Sequence, residues 1–284
     1  MIVHRIAAFT DGPNGGNPAG VVLCEALPDA GTMQAMAAKI GYSETAFVAR
    51  GENGWRVRYF APEVEVDFCG HATIAVGAAL ARREGSGPFE LQLNRARITV
   101  DGHQSGEGWG ASFRSPPTQS RAAPAAVIQQ ALALFSLSPD DLDARIPPAI
   151  ANAGAEHLVL ALRERDALRA MSYDLDSGRD LARREGIGTF SLLHAETPQI
   201  FHARNPFPIG GVYEDPATGA AAAALGGYLR DIDWPHRGSI AIRQGEDMGI
   251  PCCLRVEIAG KAGAPITVSG SVRPISEAAV PGAE

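Results

Sequence analysis

Both halves of the chain show the same order of apolar and polar positions. Strand-like segments lead to a turn that contains glycine, and the turn leads into a helix of small apolar residues. In the first half, Val66 to Gly70 runs into His71 to Leu80, and in the second half Gly211 to Gly219 runs into Ala220 to Leu225. A helix start presents backbone N–H groups without partners and the positive end of the helix dipole. Each junction is therefore predicted to hold an anionic group.

The pattern between the junctions predicts a strand-rich α+β fold. Alternating apolar positions predict strands at 2–9, 20–24, 41–48 and 55–60, and helical spacing predicts a helix that begins at Asp29 and ends near Ile40. The second half adds helices at 123–135, near 166–171 and around 180–185, with strands between them. Strands and helices do not alternate throughout, so we expect two similar α+β domains, each with several strands and one central helix, and not a doubly wound sheet.

The predicted boundary between the domains lies at Ser115-Pro116-Pro117. We assign residues 1–117 to an N-terminal domain and 118–265 to a C-terminal domain. The last predicted strand, near 266–284, is a candidate to return and complete the first domain. A length of 284 residues is comfortable for two such domains.

Composition narrows the possible partners. The net charge is −7 and no basic run occurs, which excludes a nucleic-acid partner and leaves a small anionic metabolite. Neither an apolar leader nor a membrane-length apolar run is seen, so we expect a cytoplasmic protein that does not bind membranes. The four cysteines form no C-x-x-C pair and the histidines show no ligand spacing, so we expect no metal.

The first junction brings a cysteine, a glycine and a histidine together at one helix start. His71 at a helix start is favoured as a neutral imidazole, which donates from one nitrogen and accepts at the other. The alternative is that His71 only caps the helix. Cys69 is a candidate base or nucleophile because the helix start favours its thiolate, although a small buried packing residue is the more common meaning of such a cysteine.

Glu44 and Asp215 are the candidate carboxylates. Glu44 lies in an apolar segment, where a desolvated carboxylate suits proton transfer, but an edge strand with Glu44 in solvent fits the sequence equally well. Asp215 precedes Pro216 and is either a turn former or a group that orients a ligand. The N–H groups of Gly219 and Ala220 are candidates for binding a carboxylate. Glu246 and Asp247 are weighed as metal ligands and interpreted as solvated turn residues.

These motifs together resemble the PhzF-like family of phenazine biosynthesis, which is related in fold to diaminopimelate epimerase and proline racemase. The resemblance extends over nearly the whole chain. It rests on Phe9-Thr10, Gly16-Asn17-Pro18-Ala19-Gly20-Val21-Val22, Gly41-Tyr42-Ser43-Glu44-Thr45-Ala46-Phe47, Arg58-Tyr59-Phe60-Ala61-Pro62-Glu63-Val64-Glu65, Cys69-Gly70-His71-Ala72-Thr73, Glu214-Asp215-Pro216-Ala217-Thr218-Gly219 and Gln244-Gly245-Glu246-Asp247-Met248-Gly249.

The resemblance implies two domains of like fold, each a curled, mainly antiparallel sheet around a central helix. It also implies a homodimeric, cofactor-independent isomerase with its active site in a cleft between these domains. The best-known family member moves a proton in trans-2,3-dihydro-3-hydroxyanthranilate. The family's proton-carrying glutamate matches Glu44, and its histidine after glycine matches His71. Its substrate-binding aspartate matches Asp215. The N–H groups of Gly70, His71, Gly219 and Ala220 would bind the substrate carboxylate, and Cys69 would lie beside them.

Two departures from the family pattern refine this interpretation. Ala220 stands where the family usually has serine, so a side-chain hydroxyl is lost while the backbone N–H remains. A hydrogen bond to a charged group is worth roughly 1.5–3 kcal/mol, which is enough to change the substrate. The racemase relatives use a cysteine from each domain, and no second cysteine lies near Asp215. We therefore favour an isomerase that uses Glu44, with a Cys69-assisted epimerase and a non-catalytic binding protein as alternatives.

Overall fold

The computed structural model describes residues 2–105 and 108–276. Its close contacts divide the chain into two units. The first runs to Arg114 and resumes at Ser269, and the second covers Ser115–Val268. The final part of the strand expected near 266–284, residues 277–284, lies outside the described residues. Both units are α+β, as predicted.

The first unit is a mainly antiparallel sheet with two helices. Strand β2 pairs with β3 in parallel, as β4 does with β6, and the other neighbours pair antiparallel. Its elements are β1 (Val3–Ala8), β2 (Asn17–Cys24), α1 (Ala30–Ile40), β3 (Glu44–Gly51), β4 (Gly54–Phe60), β5 (Glu65–Val66), α2 (Gly70–Glu84), β6 (Gly87–Gln92), β7 (Arg97–Ser105) and β8 (Gly108–Arg114).

The second unit repeats the order of strand pairs and has four helices in its described residues. Strands β11 and β12 pair in parallel, as β13 and β15 do, and the remaining pairs are antiparallel. Its elements are β9 (Gln119–Ala122), α3 (Ala125–Leu134), β10 (Ala149–Asn152), β11 (Glu156–Ala161), α4 (Arg165–Arg169), α5 (Leu175–Glu185), β12 (Thr189–Thr197), β13 (Ile200–Phe207), β14 (Val212–Asp215), α6 (Gly219–Asp231), β15 (Ser239–Gln244) and β16 (Cys252–Glu257).

A last strand, β17 (Thr267–Pro274), returns to the first unit. It pairs antiparallel with β1, where Ala8 lies opposite Val272 and Ile6 opposite Pro274. The backbone N–H of Thr10 donates to Ser271 O at 3.0 Å just beyond this ladder. The C-terminal part of the chain thus supplies the sheet partner that β1 needs on its second edge.

Helix α2 is buried along most of its length, which explains its composition. Eleven consecutive residues, His71 to Ala81, are buried, and the helix packs against β2, β7 and β8. A side chain at Gly102 would collide with the carbonyl group of Gly77, so the backbone of β7 approaches the helix directly. Small residues are required at such distances. The first junction is therefore held on a helix that its sheet surrounds.

The strands that lead to the central helix correspond in the two units, and this aligns their junctions. Tyr59 pairs with Val66 in the first unit, and Asn205 pairs with Asp215 in the second. Three residues after Val66 comes Cys69, and three residues after Asp215 comes Thr218, and in both units the helix starts at the next residue. The counterparts are thus Val66 and Asp215, Cys69 and Thr218, Gly70 and Gly219, and His71 and Ala220.

The structure also refines the predicted segments. The strand expected over 41–48 begins only at Glu44, because Gly41 adopts a left-handed conformation at the end of α1 (φ 74°) and the chain turns before pairing starts. Short strands β9, β10 and β14 were not predicted, since four residues carry too little pattern.

No helix in the described part of the chain is long and apolar enough to cross a membrane.

Candidate active site

Glu44 is the first residue of β3 and lies beside the start of α2. Its backbone pairs with Ala19 of β2, and its side chain is only 15% exposed. The largely buried side chain agrees with the desolvated alternative and not with an edge strand open to water. Glu44 Oε2 lies 3.4 Å from His71 Nε2. The carboxylate therefore faces the helix start that the sequence singled out.

His71 lies at the centre of the cluster in the first unit. It is the second residue of α2 and is 4% exposed. Its Nδ1 lies 3.2 Å from Cys69 Sγ, and its Nε2 lies 3.4 Å from Ser43 Oγ. In a neutral imidazole, Nδ1 would accept a hydrogen bond from the Cys69 thiol and Nε2 would carry the ring hydrogen. Both ring nitrogens would then have partners. The ring is thereby oriented with Nε2 towards Glu44.

A buried hydroxyl pair supports the turn before α2. Thr73 Oγ1 donates to the carbonyl oxygen of Cys69 at 2.7 Å, and it lies 2.8 Å from the hydroxyl group of Tyr59. The Thr73 hydroxyl has one hydrogen, so Tyr59 is the donor in the second bond. Burial raises the pKa of Tyr59 far above its ordinary value, which keeps this donor protonated. The carbonyl of Cys69 is thus fixed, and with it the directions of the next N–H groups.

The second junction is fixed by side chains of its own unit. Thr218 Oγ1 donates to Asp215 Oδ2 at 2.6 Å, so Asp215 has the turn-forming role that its place before proline predicts. Gln244, at the end of β15, is 1% exposed. Its Nε2 donates to Asp215 O at 2.6 Å and to Thr218 Oγ1 at 3.1 Å, and its Oε1 accepts from Thr218 N at 3.2 Å.

The predicted site residues form two groups. Glu44, Cys69, Gly70 and His71 lie together in the first unit, where α2 begins at Gly70. Asp215, Gly219 and Ala220 lie together in the second unit, where α6 begins at Gly219. The first N–H groups of each helix have no acceptor within their own helix. Each group therefore lies where a helix presents N–H donors outside its own hydrogen-bond ladder.

Sequence reasoning overlooked Ser43 and Gln244. Both lie in motifs that carried the family resemblance, at Gly41 to Phe47 and at Gln244 to Gly249. Within the second motif only the acidic residues were considered. Gln244 was identifiable as the residue directly after a predicted strand, where a buried amide needs partners in the adjoining turn.

Glu246 and Asp247 pair with basic side chains, which corrects their interpretation as solvated turn residues. Arg165 Nη1 lies 2.9 Å from Asp247 Oδ2, and His202 Nδ1 lies 2.6 Å from Glu246 Oε2. The side chain of Asp247 is only 13% exposed. These carboxylates therefore attach the loop after β15 to α4 and β13.

One group of residues has the donors for a metal ion. Among the described residues, a carboxylate oxygen of Glu44, the thiol of Cys69 and a ring nitrogen of His71 lie within 4.8 Å of one another. At the matching positions of the second unit, Thr218 and Ala220 bring neither a thiol nor an imidazole. The repeat is thus chemically asymmetric. The thiol and the imidazole are confined to the first unit's junction, whereas the second junction offers the carboxylate of Asp215.

Comparison with known proteins identifies the family. The profile of the phenazine biosynthesis-like protein family matches residues 6–277. An uncharacterized isomerase of Deinococcus radiodurans is 34% identical over 266 residues, which cover 89% of this chain and 85% of the relative. The uncharacterized isomerase YddE of Escherichia coli K12 is 29% identical over 95% of this chain and 94% of its own.

Solved structures agree on the fold. The PhzF-family phenazine biosynthesis protein of Bacillus anthracis superimposes with a TM-score of 0.84 at 22% identity, covering 96% of each chain. A probable proline racemase of Agrobacterium radiobacter has a TM-score of 0.65 at 10% identity over 96% of this chain and 91% of its own. The chain belongs to the phenazine biosynthesis-like protein family and is an isomerase of that family.

Proposed function

We propose that the protein is a cofactor-independent isomerase that moves a proton between two carbon atoms of a small metabolite with a carboxylate group. Glu44 is the acid and base, and the reaction takes place in the interdomain cleft that the family resemblance implies. The carboxylate of Glu44 removes a proton from one carbon and becomes a carboxylic acid. It then returns that proton to a second carbon of the same conjugated system. The observation that carries this proposal is the 3.4 Å approach of the largely buried Glu44 carboxylate to His71.

The asymmetry of the repeat favours one proton carrier over two. A two-base racemase needs an acid or base from each unit, and the position that matches Cys69 is Thr218. The hydroxyl of Thr218 already donates to Asp215. An alcohol is also a far weaker acid than a thiol, so it is a poor second base. A single carboxylate that removes and returns the proton requires no partner in the second unit.

The remaining groups are assigned to binding. In this proposal the N–H groups of Gly70, His71, Gly219 and Ala220 bind the substrate carboxylate and the negative charge that develops when the proton leaves. Backbone donors fixed in advance are effective for this purpose, because they do not reorganise during the reaction. Asp215 holds a polar group of the substrate. His71 orients Glu44 and contacts the substrate through Nε2.

The test compares Glu44→Gln with the wild type. Both proteins are incubated with a metabolite library in deuterated water. Products that are isomers of a library compound are separated, and their molecular masses are measured. We expect a product that carries partial deuterium at the new C–H bond with the wild type. Loss of the general base should reduce its rate by about 10²–10⁴-fold. Glu63→Gln is the control, because Glu63 is an exposed carboxylate on the same unit. Unchanged turnover in Glu44→Gln would refute the proposal.

A second candidate is a Cys69-assisted epimerase. It is favoured by the 3.2 Å distance between Cys69 Sγ and His71 Nδ1, since an imidazole at this distance activates a thiol. Epimerisation would place deuterium at a stereocentre without moving a double bond. That signal would disappear in Cys69→Ser, whereas a Glu44-only isomerase would keep its product in this variant.

Cytoplasmic location and a homodimeric state complete the proposal. They follow from the sequence expectations and the family resemblance. Light scattering of the purified protein tests the homodimer, because a single chain of 29.8 kDa and a pair differ twofold in mass.

A further inference from the structure

Glu44, Cys69 and His71 form a combination of donors that proton transfer does not require. Their donor atoms are a carboxylate oxygen, a thiol sulfur and an imidazole nitrogen, and they lie within 4.8 Å of one another. Cys69 and His71 are buried, and Glu44 is largely buried. We propose that these three residues bind a thiophilic divalent cation of the Zn²⁺ type, and that the bound cation inhibits the isomerase. The inhibition, but not the binding, rests on the proposed role of Glu44.

One edge of a tetrahedral zinc site is already formed. Zinc–nitrogen and zinc–sulfur bonds of about 2.0 and 2.3 Å place neighbouring ligand atoms about 3.3–3.6 Å apart. His71 Nε2 lies 3.4 Å from Glu44 Oε2, which fits this range. Cys69 Sγ lies 3.2 Å from Nδ1 and 4.0 Å from Nε2, and the two ring nitrogens point in different directions. A cation bound at Nε2 therefore requires the Cys69 side chain to rotate and bring its thiol to the Nε2 side of the ring.

The donor types select the cation. A thiolate and an imidazole favour Zn²⁺, Co²⁺ or Cu⁺ over Mg²⁺ and Ca²⁺, which prefer oxygen ligands. Three protein ligands leave the fourth tetrahedral position for water or for the substrate. Binding converts the Cys69 thiol to a thiolate and releases its proton to solvent. No oxidation or reduction takes place.

Inhibition follows from which lone pairs the cation occupies. A carboxylate oxygen of Glu44 that coordinates Zn²⁺ no longer accepts a proton from a carbon acid. The proposed site departs from the sequence expectation of no metal, and the cation acts as an inhibitor. The repeat also predicts the stoichiometry. Thr218 and Ala220 replace the thiol and the imidazole in the second unit, so each chain should bind one cation.

Binding is tested with Co²⁺ as a spectroscopic substitute for Zn²⁺, added to the full reduced chain. We expect one equivalent of Co²⁺ to produce a thiolate-to-cobalt charge-transfer absorption that Zn²⁺ abolishes. The absorption should be lost in Cys69→Ala. Glu44→Gln, which removes a largely buried but not fully buried ligand, should weaken binding about tenfold or more. Cys24→Ser and Cys253→Ser are matched controls, because both thiols are more exposed than Cys69.

Each result supports or overturns a stated part of the proposal. Absence of the absorption in the wild type, its persistence in Cys69→Ala, or its loss in Cys253→Ser would overturn the site. Circular dichroism of each variant confirms that the fold is retained.

Inhibition is measured separately. Zn²⁺ should abolish turnover, a chelator should restore it, and Mg²⁺ should have no effect. Full turnover with Zn²⁺ bound would overturn the inhibition. A Glu44→Gln enzyme with normal turnover would refute the isomerase proposal while leaving the binding result in place.

Discussion

Ala220 is the residue that most directly separates this chain from the family pattern. It is the second residue of α6 and is partly exposed, so a hydroxyl at this position has room beside the ligand-binding N–H groups. Its counterpart in the first unit is His71, which carries a polar ring. In the proposed binding mode, the second junction therefore uses backbone groups alone at a position where the first junction offers a side chain.

Ala220→Ser should move the substrate preference towards the family's dihydro-hydroxyanthranilate. One hydrogen bond to a charged group is worth roughly 1.5–3 kcal/mol, which is about 10- to 100-fold in kcat/KM. The measurement is kcat/KM for that compound in wild type and variant. Equal values would show that the missing hydroxyl does not determine specificity. Thermal melting of both proteins controls for a change in stability.

At the scale of the element, the turn before α2 depends on the bonded pair of Tyr59 and Thr73. Thr73→Val removes the bond to the carbonyl of Cys69 and leaves the buried hydroxyl of Tyr59 without its acceptor. An unsatisfied buried polar group costs about 1–3 kcal/mol. We expect Thr73→Val to lower the free energy of unfolding by that amount and to reduce kcat.

Tyr59→Phe is the matched variant. It removes the Tyr59 donor but leaves Thr73 bonded to Cys69 O, so no unsatisfied group remains. Its cost should be about 1 kcal/mol or less, with kcat nearly unchanged. Urea unfolding of both variants measures the difference. A larger loss in Tyr59→Phe than in Thr73→Val would contradict the assigned donor directions.

Gln244 has the corresponding function at the second junction. Its amide group makes three hydrogen bonds to Asp215 and Thr218, and these bonds fix the turn that precedes α6. Gln244→Met keeps the size of the side chain but removes all three bonds, and Gln244→Glu keeps an acceptor but removes the donor. A misplaced binding turn should raise KM about tenfold or more while kcat changes less.

The two variants of Gln244 also separate positioning from charge. Gln244→Glu adds a carboxylate beside Asp215 and should raise KM further than Gln244→Met does, because two like charges repel in a buried position. Steady-state kinetics at several substrate concentrations distinguish these effects. Unchanged KM in both variants would show that the turn is held by other contacts.

Elements were more predictable than contacts. Helices α1, α2 and α6 follow from helical spacing and from glycine or capping signals near their ends, and they lie where the sequence placed them. The approach of Glu44 to His71 joins residues 27 positions apart and depends on the pairing of β3 with its neighbours. No local pattern encodes such a distance. The family resemblance identified the residues, whereas their mutual geometry required the structure.

At the scale of the whole molecule, the repeat explains both the layout and its asymmetry. The same order of parallel and antiparallel pairs occurs in each unit, although sequence identity between them is weak. Pairing register is determined by which side chains face the core, so it persists when individual residues change. The chemistry changes more readily than the register. Glu44 begins β3, and the residue that begins β12 in the second unit is Thr189.

Thr189 occupies the position of Glu44 in the second unit but is not a proton carrier. It belongs to a buried series of hydrogen-bonded polar side chains. Its Oγ1 donates to Asn205 Oδ1 at 2.8 Å and lies 2.8 Å from His157 Nδ1. The hydroxyl hydrogen is used towards Asn205, so His157 Nδ1 carries the hydrogen in the second bond. Burial lowers the pKa of His157 to about 4. The imidazole is therefore neutral in the folded protein at neutral pH.

This lowered pKa predicts how stability depends on pH. The unfolded chain binds a proton at His157 near pH 6.5, and the folded chain binds it only near pH 4. The contribution of neutral His157 is complete above about pH 6.5 and is lost as the pH falls from 6.5 to 4. The shift corresponds to about 3 kcal/mol. His157→Asn keeps a donor to Thr189 but does not titrate, so its free energy of unfolding should fall less with acid.

The informative quantity is the difference between wild type and His157→Asn at each pH. Protonation of other groups also destabilises the folded protein as the pH falls. Arg145 holds the pKa of Asp143 below its ordinary value, and Arg121 does the same for Glu156. The Asp143 contribution is present in both proteins and cancels in the difference, whereas His157 itself helps to lower the pKa of Glu156, so the difference includes that smaller interaction. Urea unfolding at several pH values from 7 to 4 should show the wild type more stable at pH 7 and the two curves converging towards pH 4. Substitution of the exposed His4 by Asn is the control, and a constant difference for His157→Asn would contradict the buried neutral imidazole.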